Sequence, residues 1–191
     1  MNKRFNKIFF GILFIISFTF AGTYLMWQFQ AKRAISALGS DVLLSSDERV
    51  DLEEKVEQEG SRLVINKIGV NMPLIESESE NALLYGAWRA PGTSTPDKGS
   101  NTAIFGHRYL NIPPSKNTLF RLNEVKVGDT FEVIWQDETY TYKITEKFVV
   151  EPNQMEVLDP TDKSVVTLIT CTPLFTTKQR LVVRGELVSN N

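Results

Sequence analysis

Short runs of alternating apolar and polar residues, separated by turn-forming residues, make up most of the chain from residue 61 onward. RLVINKIGV, MPLIES, NTAIFGH, DTFEVIW and ETYTYKITEKFVV are typical of strands, and Gln136 with Asp137 predicts a hairpin between the last two. KSVVTLIT and RLVVRGELV are continuous in β-branched residues and leucine, as expected of strands buried on both faces. About eight strands in ~130 residues predict a mainly all-β domain, either a closed barrel or a sandwich.

Helices and long loops are few in this region. The only helical candidates are SENALLYGAW and NTLFRLNEV, each of one or two turns. RAPGTSTPDKGSN, residues 89–101, and LNIPPSKN, which follows His107, are too rich in turn-forming residues for regular structure. Because functional residues concentrate on loops held by a rigid scaffold, we expect His107 to face solvent at a site.

A different pattern occupies the first thirty residues. Twenty uncharged, mostly apolar residues run from Ile8 to Trp27 after the basic segment MNKRFNK, and about 20 such residues are needed for a transmembrane helix. The positive flank predicts a cytoplasmic N-terminus, with the rest of the chain outside. A cleaved signal peptide is the alternative, but its apolar core is normally ~7–15 residues long, and AGTYLMWQFQ offers no good A-x-A site.

An acidic segment separates this apolar stretch from the strand pattern. Eight carboxylates and two basic residues lie between Asp41 and Gly60, a composition that cannot bury enough surface to fold and predicts a solvated stalk. The predicted organisation is therefore a cytoplasmic segment at 1–7, a membrane helix at 8–27, an extracellular stalk at 28–60 and one folded domain at 61–191. The chain would be a single-pass protein of the cell membrane.

Composition excludes several kinds of binding and catalytic site. The chain is 42% hydrophobic and 23% charged with a net charge of −2, so it lacks the positive field that nucleic acid binding requires. One cysteine and one histidine can form neither an intramolecular disulfide nor a zinc site of the usual ligands. Any thiol chemistry therefore falls on Cys171.

Cys171 follows a strand-like run and precedes a proline-centred turn. A thiol is a strong nucleophile only as thiolate, and His107 is the only imidazole that could take its proton. An arginine could supply the donors that an oxyanion needs. Arg180 and Arg184 share one face of the next strand, about 13 Å apart, and Arg180 is nearer the loop end that Cys171 occupies. Taken singly, a cysteine is most often a small buried side chain and a strand arginine a surface ion-pair partner.

The local sequences resemble those of the sortase family, membrane-anchored cysteine transpeptidases of mainly Gram-positive bacteria. TLITC matches the family's T-L-x-T-C motif, RLVVRGEL follows it, and NTAIFGHR precedes it by some sixty residues. The likeness extends from about Ser61 to Val188 and includes RLVINKIGV, GAWRAPGTSTPDKGSNTAIFGHR and LNEVKVGDTFEV. The order histidine, cysteine, arginine is also that of the family.

This resemblance implies a closed eight-stranded β-barrel in which His107, Cys171 and Arg180 meet at one groove. Cys171 would attack the Thr carbonyl of an LPxTG-like sorting signal, and His107 would protonate the leaving amine and later deprotonate the incoming one. Arg180 would bind the substrate backbone or the oxyanion. Thr170 is expected to line the substrate or oxyanion region, with an ordinary strand threonine as the alternative.

The implied partners are surface proteins that carry a sorting signal, and an amine acceptor such as a peptidoglycan precursor or a pilin lysine. No cofactor is implied. Calcium dependence, known in one branch of the family, would require a carboxylate cluster, for which Glu76, Glu78 and Glu80 are candidates by proximity only. Solvated surface is the alternative interpretation of these three residues.

Departures from known subfamilies leave the subfamily unassigned. Only eight residues, TPLFTTKQ, separate Cys171 from Arg180. No Asp-Pro-aromatic lid motif lies between the stalk and Arg62, so an open cleft is expected. An L,D-transpeptidase is disfavoured because the residues directly before Cys171 include no His or Gly, and Thr-Pro follows it. A catalytically silent binding domain and a hydrolase using the same acyl-enzyme stay as alternatives.

Overall fold

Eight β-strands form a closed barrel within the residues that the computed structural model describes, 60–110 and 114–191. The strands are β1 (Arg62–Ile65), β2 (Val70–Glu76), β3 (Ala87–Arg89), β4 (Asn101–Phe105), β5 (Thr130–Trp135), β6 (Glu138–Val150), β7 (Val165–Thr172) and β8 (Gln179–Asn190). Their order around the barrel is β1-β2-β3-β4-β7-β8-β6-β5. Of the two architectures that the strand pattern allowed, the barrel is confirmed.

Two of the pairings are parallel, and they determine which residues meet. β2 pairs with β3, and β4 pairs with β7, in parallel, whereas the other neighbours are antiparallel. The predicted hairpin joins β5 to β6, with Gln136 and Asp137 both at positive φ, as a two-residue turn between twisted strands requires. The parallel β4–β7 pair brings the C-terminal ends of both strands to the same end of the barrel.

The helical segments are all short 3-10 turns. They comprise Asn66–Ile68, Glu80–Leu84, Pro96–Lys98, Leu122–Glu124 and Met155–Leu158. The helical interpretation of SENALLYGAW is wrong at its C-terminal end, because Ala87–Arg89 pairs with β2 and β4 as strand β3. The expectation that residues 89–101 lack regular structure is likewise wrong for Pro96–Lys98. Segments this short gain too few hydrogen bonds to nucleate an α-helix.

The core lies inside the barrel and consists of side chains at alternate strand positions. On β7 and β8 these are Val166, Leu168, Leu181 and Val183, which pack with Phe131 and Tyr142 among others. All six residues from Val165 to Thr170 are buried, so burial on both faces is confirmed for β7. β8 is buried only over its first half, because its last residues project beyond the core.

The predicted membrane segment, residues 8–27, lies outside the described residues. Within residues 60–110 and 114–191, no helix has the length and apolar character needed to cross a bilayer.

Candidate active site

Strand β7 carries Cys171 near its C-terminal end, where it faces Arg180 across the antiparallel ladder with β8. Because side chains alternate along a strand, Cys171 shares the outer face of the barrel with Ile169 and Thr167. Directly opposed residues in an antiparallel pair have Cβ atoms ~4.5–5.5 Å apart. The nucleophile candidate is half-buried and adjoins the predicted arginine.

The end of β4 places His107 beside Cys171. The parallel register aligns Phe105 with Ile169, and the Gly106 amide continues the ladder by donating to the Ile169 carbonyl at 3.1 Å. Continuing this register by two residues brings His107, which follows the end of β4, level with Cys171 of β7. Adjacent strands are ~4.8 Å apart. The His107 carbonyl is fixed by the Leu119 amide at 2.8 Å. His107 is half-buried at this position, so it faces solvent only in part, and its place in a functional site stays a prediction.

Glycine at position 106 allows this close approach. A Cβ atom there would lie 2.8 Å from Leu119 Cδ1 and Cγ, inside any normal contact distance. The missing side chain lets the His107 segment pack directly on Leu119, which itself is fully buried in the barrel core. The sequence NTAIFGHR therefore contains a packing requirement immediately before the histidine.

Thr170 points into the barrel and not toward the face of Cys171. Its side chain is 2% exposed, and its hydroxyl donates to the Gly106 carbonyl at 2.7 Å. The contact ties the end of β7 to the end of β4 between the two candidate catalytic residues. The substrate-binding role expected of Thr170 stays a prediction, and its observed contact is structural.

The two candidate arginines on β8 have different partners. Arg180 lies level with Cys171, and its Nη1 donates to the carbonyls of Thr177 at 3.0 Å and Gln179 at 3.2 Å. Arg184 lies level with Thr167, and its Nη1 forms an ion pair with Glu146 at 3.2 Å. The inference that only Arg180 can sit level with the thiol agrees with this register.

Burial controls the charge state of the histidine. Desolvation lowers the pKa of His107 below its ordinary value, and the negative charge of Glu80 acts in the opposite direction. Glu80 begins the 3-10 turn that connects β2 to β3. A buried imidazole without a carboxylate nearby would favour the neutral form, so Glu80 helps to keep imidazolium available.

Sequence reasoning missed Arg108, the residue after the candidate histidine. It is only 7% exposed, and its Nη2 donates to Asn123 Oδ1 at 2.7 Å. Desolvation lowers the pKa of the Arg108 guanidinium, and the charge of Cys171 raises it. A charged residue in a loop pattern is normally exposed, so nothing in the linear sequence indicated this burial.

An apolar cluster adjoins Cys171 and Arg180 on the outer face of the barrel. Its buried members are Val150, Ile169 and Val182, and Phe105, Phe148, Val157 and Leu158 pack against them. Ile169 and Val182 lie two residues from Cys171 and Arg180, on the same face. We call these seven residues the outer-face cluster. Its partly buried members provide apolar surface near the candidate nucleophile and the arginine.

Aromatic contacts link the loop after Cys171 to the segment after His107. The Phe175 ring contacts the Tyr109 ring edge-to-face, with centroids 4.8 Å apart, and Tyr109 also packs on Phe120. Phe175 is 67% exposed and has a positive φ. The β7–β8 loop thus rests on the histidine segment and leaves one large apolar side chain facing solvent.

No metal site is apparent in the part of the chain that the structure describes, since no group of three or more His, Cys, Asp or Glu side chains could hold an ion there. Of the calcium candidates, Glu76 forms an ion pair with Arg89. Two polar cavities of about 260 and 220 Å³ lie among other residues and include neither Cys171 nor His107.

Comparison with known proteins gives the family. Residues 63–188 match the sortase domain model. The chain belongs to the sortase family. Sortase SrtE1 of Streptomyces coelicolor is 31% identical over 188 residues, which cover 87% of this chain and 52% of that protein. Sortase A of Bacillus anthracis is 31% identical over 128 residues, covering 66% and 59%.

The sortase fold is also found among solved structures. Sortase C of Streptococcus pneumoniae superposes with a TM-score of 0.63 at 30% identity, covering 71% of this chain and 68% of that one. The chain spans between half and three fifths of the length of the two curated relatives above. Sortases are cysteine transpeptidases, typically membrane-associated and generally independent of cofactors. The relatives carry different sortase letters, so the similarity does not assign a subfamily.

Proposed function

We propose that this sortase cleaves an LPxTG-like sorting signal after Thr and transfers the acyl group to an amine. The observation that supports the proposal is the register of β7 and β8, in which Cys171 faces Arg180, together with the position of His107 just after β4, the parallel neighbour of β7. A nucleophile, a proton donor and a fixed cation are the groups that acyl transfer from a peptide requires.

In the first half-reaction, the Cys171 thiolate attacks the carbonyl carbon of the signal's Thr. The carbonyl π electrons move to oxygen and form a tetrahedral oxyanion. When the oxyanion collapses, the carbon–nitrogen bond breaks, and the imidazolium of His107 gives its proton to the leaving Gly amine. The products are a thioester on Cys171, a neutral imidazole and a free amine.

In the second half-reaction, an acceptor amine attacks the thioester. His107, now neutral, takes the proton that the amine loses as the new amide bond forms. The carbon–sulfur bond breaks and thiolate returns. Because the imidazole ends protonated, the thiolate–imidazolium pair that begins the cycle is restored.

Arg180 is proposed to hold the substrate backbone or the developing oxyanion. It faces Cys171 across the β7–β8 ladder, and guanidinium donors are always charged. Its present partners are the carbonyls of Thr177 and Gln179 in its own loop. Substrate would compete for those donors, so a modest side-chain rearrangement is part of the proposal.

The outer-face cluster is proposed to receive the apolar residues of the sorting signal. Ile169 and Val182, beside Cys171 and Arg180, are buried beneath its surface. Its accessible apolar surface comes from the partly buried members Phe105, Phe148, Val157 and Leu158. An extended peptide with its Thr carbonyl at Cys171 would place its preceding Leu and Pro over this surface. Apolar burial then adds binding energy of about 25 cal/mol per Å².

The biological setting follows from the same proposal. Sorting-signal proteins at the cell surface would be anchored to the cell wall or joined into pili, with a peptidoglycan precursor or a pilin lysine as acceptor. The structure of Streptococcus pneumoniae sortase C gives insight into pilin substrate specificity, which supports including pilins among the candidate substrates. Residues 8–27 would hold the enzyme in the membrane, with residues 28–60 as a stalk and the domain from residue 61 outside the cell.

The test uses the full-length chain in mild detergent, incubated with a panel of LPxTG-type peptides with and without triglycine. Intact-mass spectrometry should detect a thioester adduct on the single cysteine, which triglycine converts to ligated peptide. An adduct that only water resolves would indicate a hydrolase. Absence of any adduct, together with no labelling of Cys171 by a thiol-directed electrophile, would favour the silent binding domain.

A further inference from the structure

Arg108 is a buried cation without a carboxylate partner among the described residues. It is 7% exposed, and its side chain donates one hydrogen bond there, from Nη2 to the amide oxygen of Asn123. Its Nε and Nη1 are buried and have no hydrogen-bond partner in the described part of the chain. An unpaired buried donor costs about 1–3 kcal/mol, and more when the group is charged. A native structure that keeps such a cost calls for a structural or functional explanation.

Other well-buried arginines of the barrel are paired differently. Arg89, with its side chain 14% exposed, forms an ion pair with Glu76, and Arg184, 23% exposed, forms one with Glu146. Both therefore meet the usual requirement that a buried charge be neutralised nearby. Arg108 is more buried than either and has only a neutral partner.

Unpartnered buried polar atoms concentrate in the segment after His107. Three of the six such side-chain atoms in the described residues belong to Arg108 and Tyr109. The other three lie near a polar side chain, with Asp97 beside Thr95 and Trp135, and Ser164 beside Tyr142. The incomplete hydrogen bonding of the barrel is therefore most pronounced beside the candidate catalytic residues.

The position of Arg108 places its charge close to Cys171. The β4–β7 register ends at Phe105 and Ile169, and its continuation by two residues brings His107 level with Cys171, with Arg108 as the next residue. Arg108 donates to the Asn123 side chain, and the backbone carbonyl of Asn123 accepts a hydrogen bond from Lys147 Nζ on β6. These contacts link the segment after β4 to β6. In the barrel, β4 and β6 flank the β7–β8 pair. A thiolate at Cys171 interacts favourably with the guanidinium.

The charged and titratable groups around Cys171 come from several elements. They are His107, Arg108 and Tyr109 after β4, Glu80 before β3, Glu151 after β6, and Lys178 and Arg180 at the start of β8. Glu151 accepts a hydrogen bond from Gln179 at 2.8 Å, and Glu80 acts mainly on His107. Arg108 is the only buried cation of this set.

We propose that Arg108 is the buried counter-ion of the Cys171 thiolate and thereby a positioning residue of the site. The proposal rests on the proposed nucleophilic role of Cys171. The fixed positive charge stabilises the anionic sulfur, so that Arg180 on the open side can exchange its carbonyl partners for substrate. Arg108 thus compensates for the desolvation that a half-buried thiolate would suffer.

The test measures how the rate of alkylation by iodoacetamide depends on pH, in the full-length chain and by intact mass. The chain has a single cysteine, so the adduct reports Cys171 alone and no sorting peptide is needed. Arg108→Gln should move the midpoint of the labelling profile upward by about one pH unit, with labelling below it about tenfold slower, as expected for loss of a neighbouring opposite charge. Arg108→Lys should restore much of the wild-type profile.

A second variant leaves Arg108 in place. Asn123→Asp adds a carboxylate where Nη2 already donates, which should neutralise the guanidinium and shift the profile in the same direction, by less. Asn71→Asp is the matched control, because Asn71 is an exposed asparagine that accepts from Arg62 on β1 at 2.6 Å, and β3 and β4 separate its strand from β7. It should leave the profile unchanged.

An unchanged midpoint in folded Arg108→Gln would overturn the inference, as would equal shifts in Asn123→Asp and Asn71→Asp. If Arg108→Gln does not fold, the Asn123→Asp profile decides alone: a shift supports the counter-ion role and no shift refutes it. Failure of the wild type to form acyl adducts with peptides would refute the proposed function while leaving the labelling result intact. The two proposals therefore fail separately.

Discussion

The two ends of strand β4 differ in how their polar groups are satisfied. At the N-terminal end, the buried Asn101 side chain donates to the carbonyls of Val157 and Asp159, each at 3.0 Å, and accepts from the Thr167 hydroxyl at 2.7 Å. At the C-terminal end, the buried Arg108 has two donors without partners in the described residues. The buried side chain at the start of β4 is therefore fully hydrogen-bonded, whereas the buried side chain just beyond its end is not.

The difference distinguishes a residue that holds the fold together from residues that are proposed to support the reaction. Asn101 fixes the β6–β7 loop, and with it Val157 and Leu158 of the outer-face cluster, so its hydrogen bonds hold the proposed substrate surface in place. The segment after His107 instead leaves donors available to an anion. Proteins usually violate local rules of satisfaction where function requires it, and compensate elsewhere.

The strongest test of this division is Cys171→Ala. We expect the turnover of a sorting peptide to fall by at least about 10⁴-fold, because the acyl-enzyme cannot form. The midpoint of thermal unfolding should stay near that of the wild type, because Cys171 is half-buried and makes no disulfide. Turnover at the wild-type rate in this variant would contradict the mechanism.

Asn101→Ala should produce the converse result. It removes three hydrogen bonds, so two carbonyls lose their Asn101 donor and the buried Thr167 hydroxyl keeps only the bond from Arg184 Nε at 3.3 Å. The free energy of unfolding should therefore fall by about 2–4 kcal/mol. Chemical denaturation measures the loss. Cys171 alkylation at a temperature where the variant stays folded should resemble that of the wild type, and loss of thiol reactivity in the folded variant would break the distinction between the two ends.

The smallest expected effect is that of Glu80→Gln. Desolvation lowers the pKa of His107 and Glu80 opposes this, so removing the carboxylate should lower the pKa further. Less imidazolium would then exist at neutral pH, the rate there would fall, and the pH optimum would move to lower pH. The single histidine allows a direct NMR titration of the imidazole. A titration midpoint that stays the same or rises would show that Glu80 does not act on His107.

The strands and the catalytic candidates were predictable for different reasons. Period-two alternation and the Gln136–Asp137 turn are local, so the strands and the β5–β6 hairpin follow from sequence windows. The position of Arg180 near Cys171 was predicted from the short loop between them and from the alternation of side chains along the following strand. Identification of His107 relied on the motif and on its being the only histidine.

Properties that arise from packing could not be read from the chain. SENALLYGAW contains strand β3 because neighbouring strands pair with Ala87–Arg89, a tertiary effect stronger than local preference. The burial of Arg108 and the inward hydroxyl of Thr170 depend on contacts with Asn123 and Gly106, which are distant in sequence. Such long-range partners leave no periodic signal.

On the proposed mechanism, the parallel contact between β4 and β7 would also determine when the thiol becomes reactive. His107 precedes Cys171 by sixty-four residues, as Gly106 precedes Thr170, and Arg180 lies on β8, the last described strand. A ribosome would therefore have to release β8 before the three side chains could assemble. Until then the newly made polypeptide would carry an unactivated thiol, and premature acylation during synthesis would be avoided without a separate inhibitor.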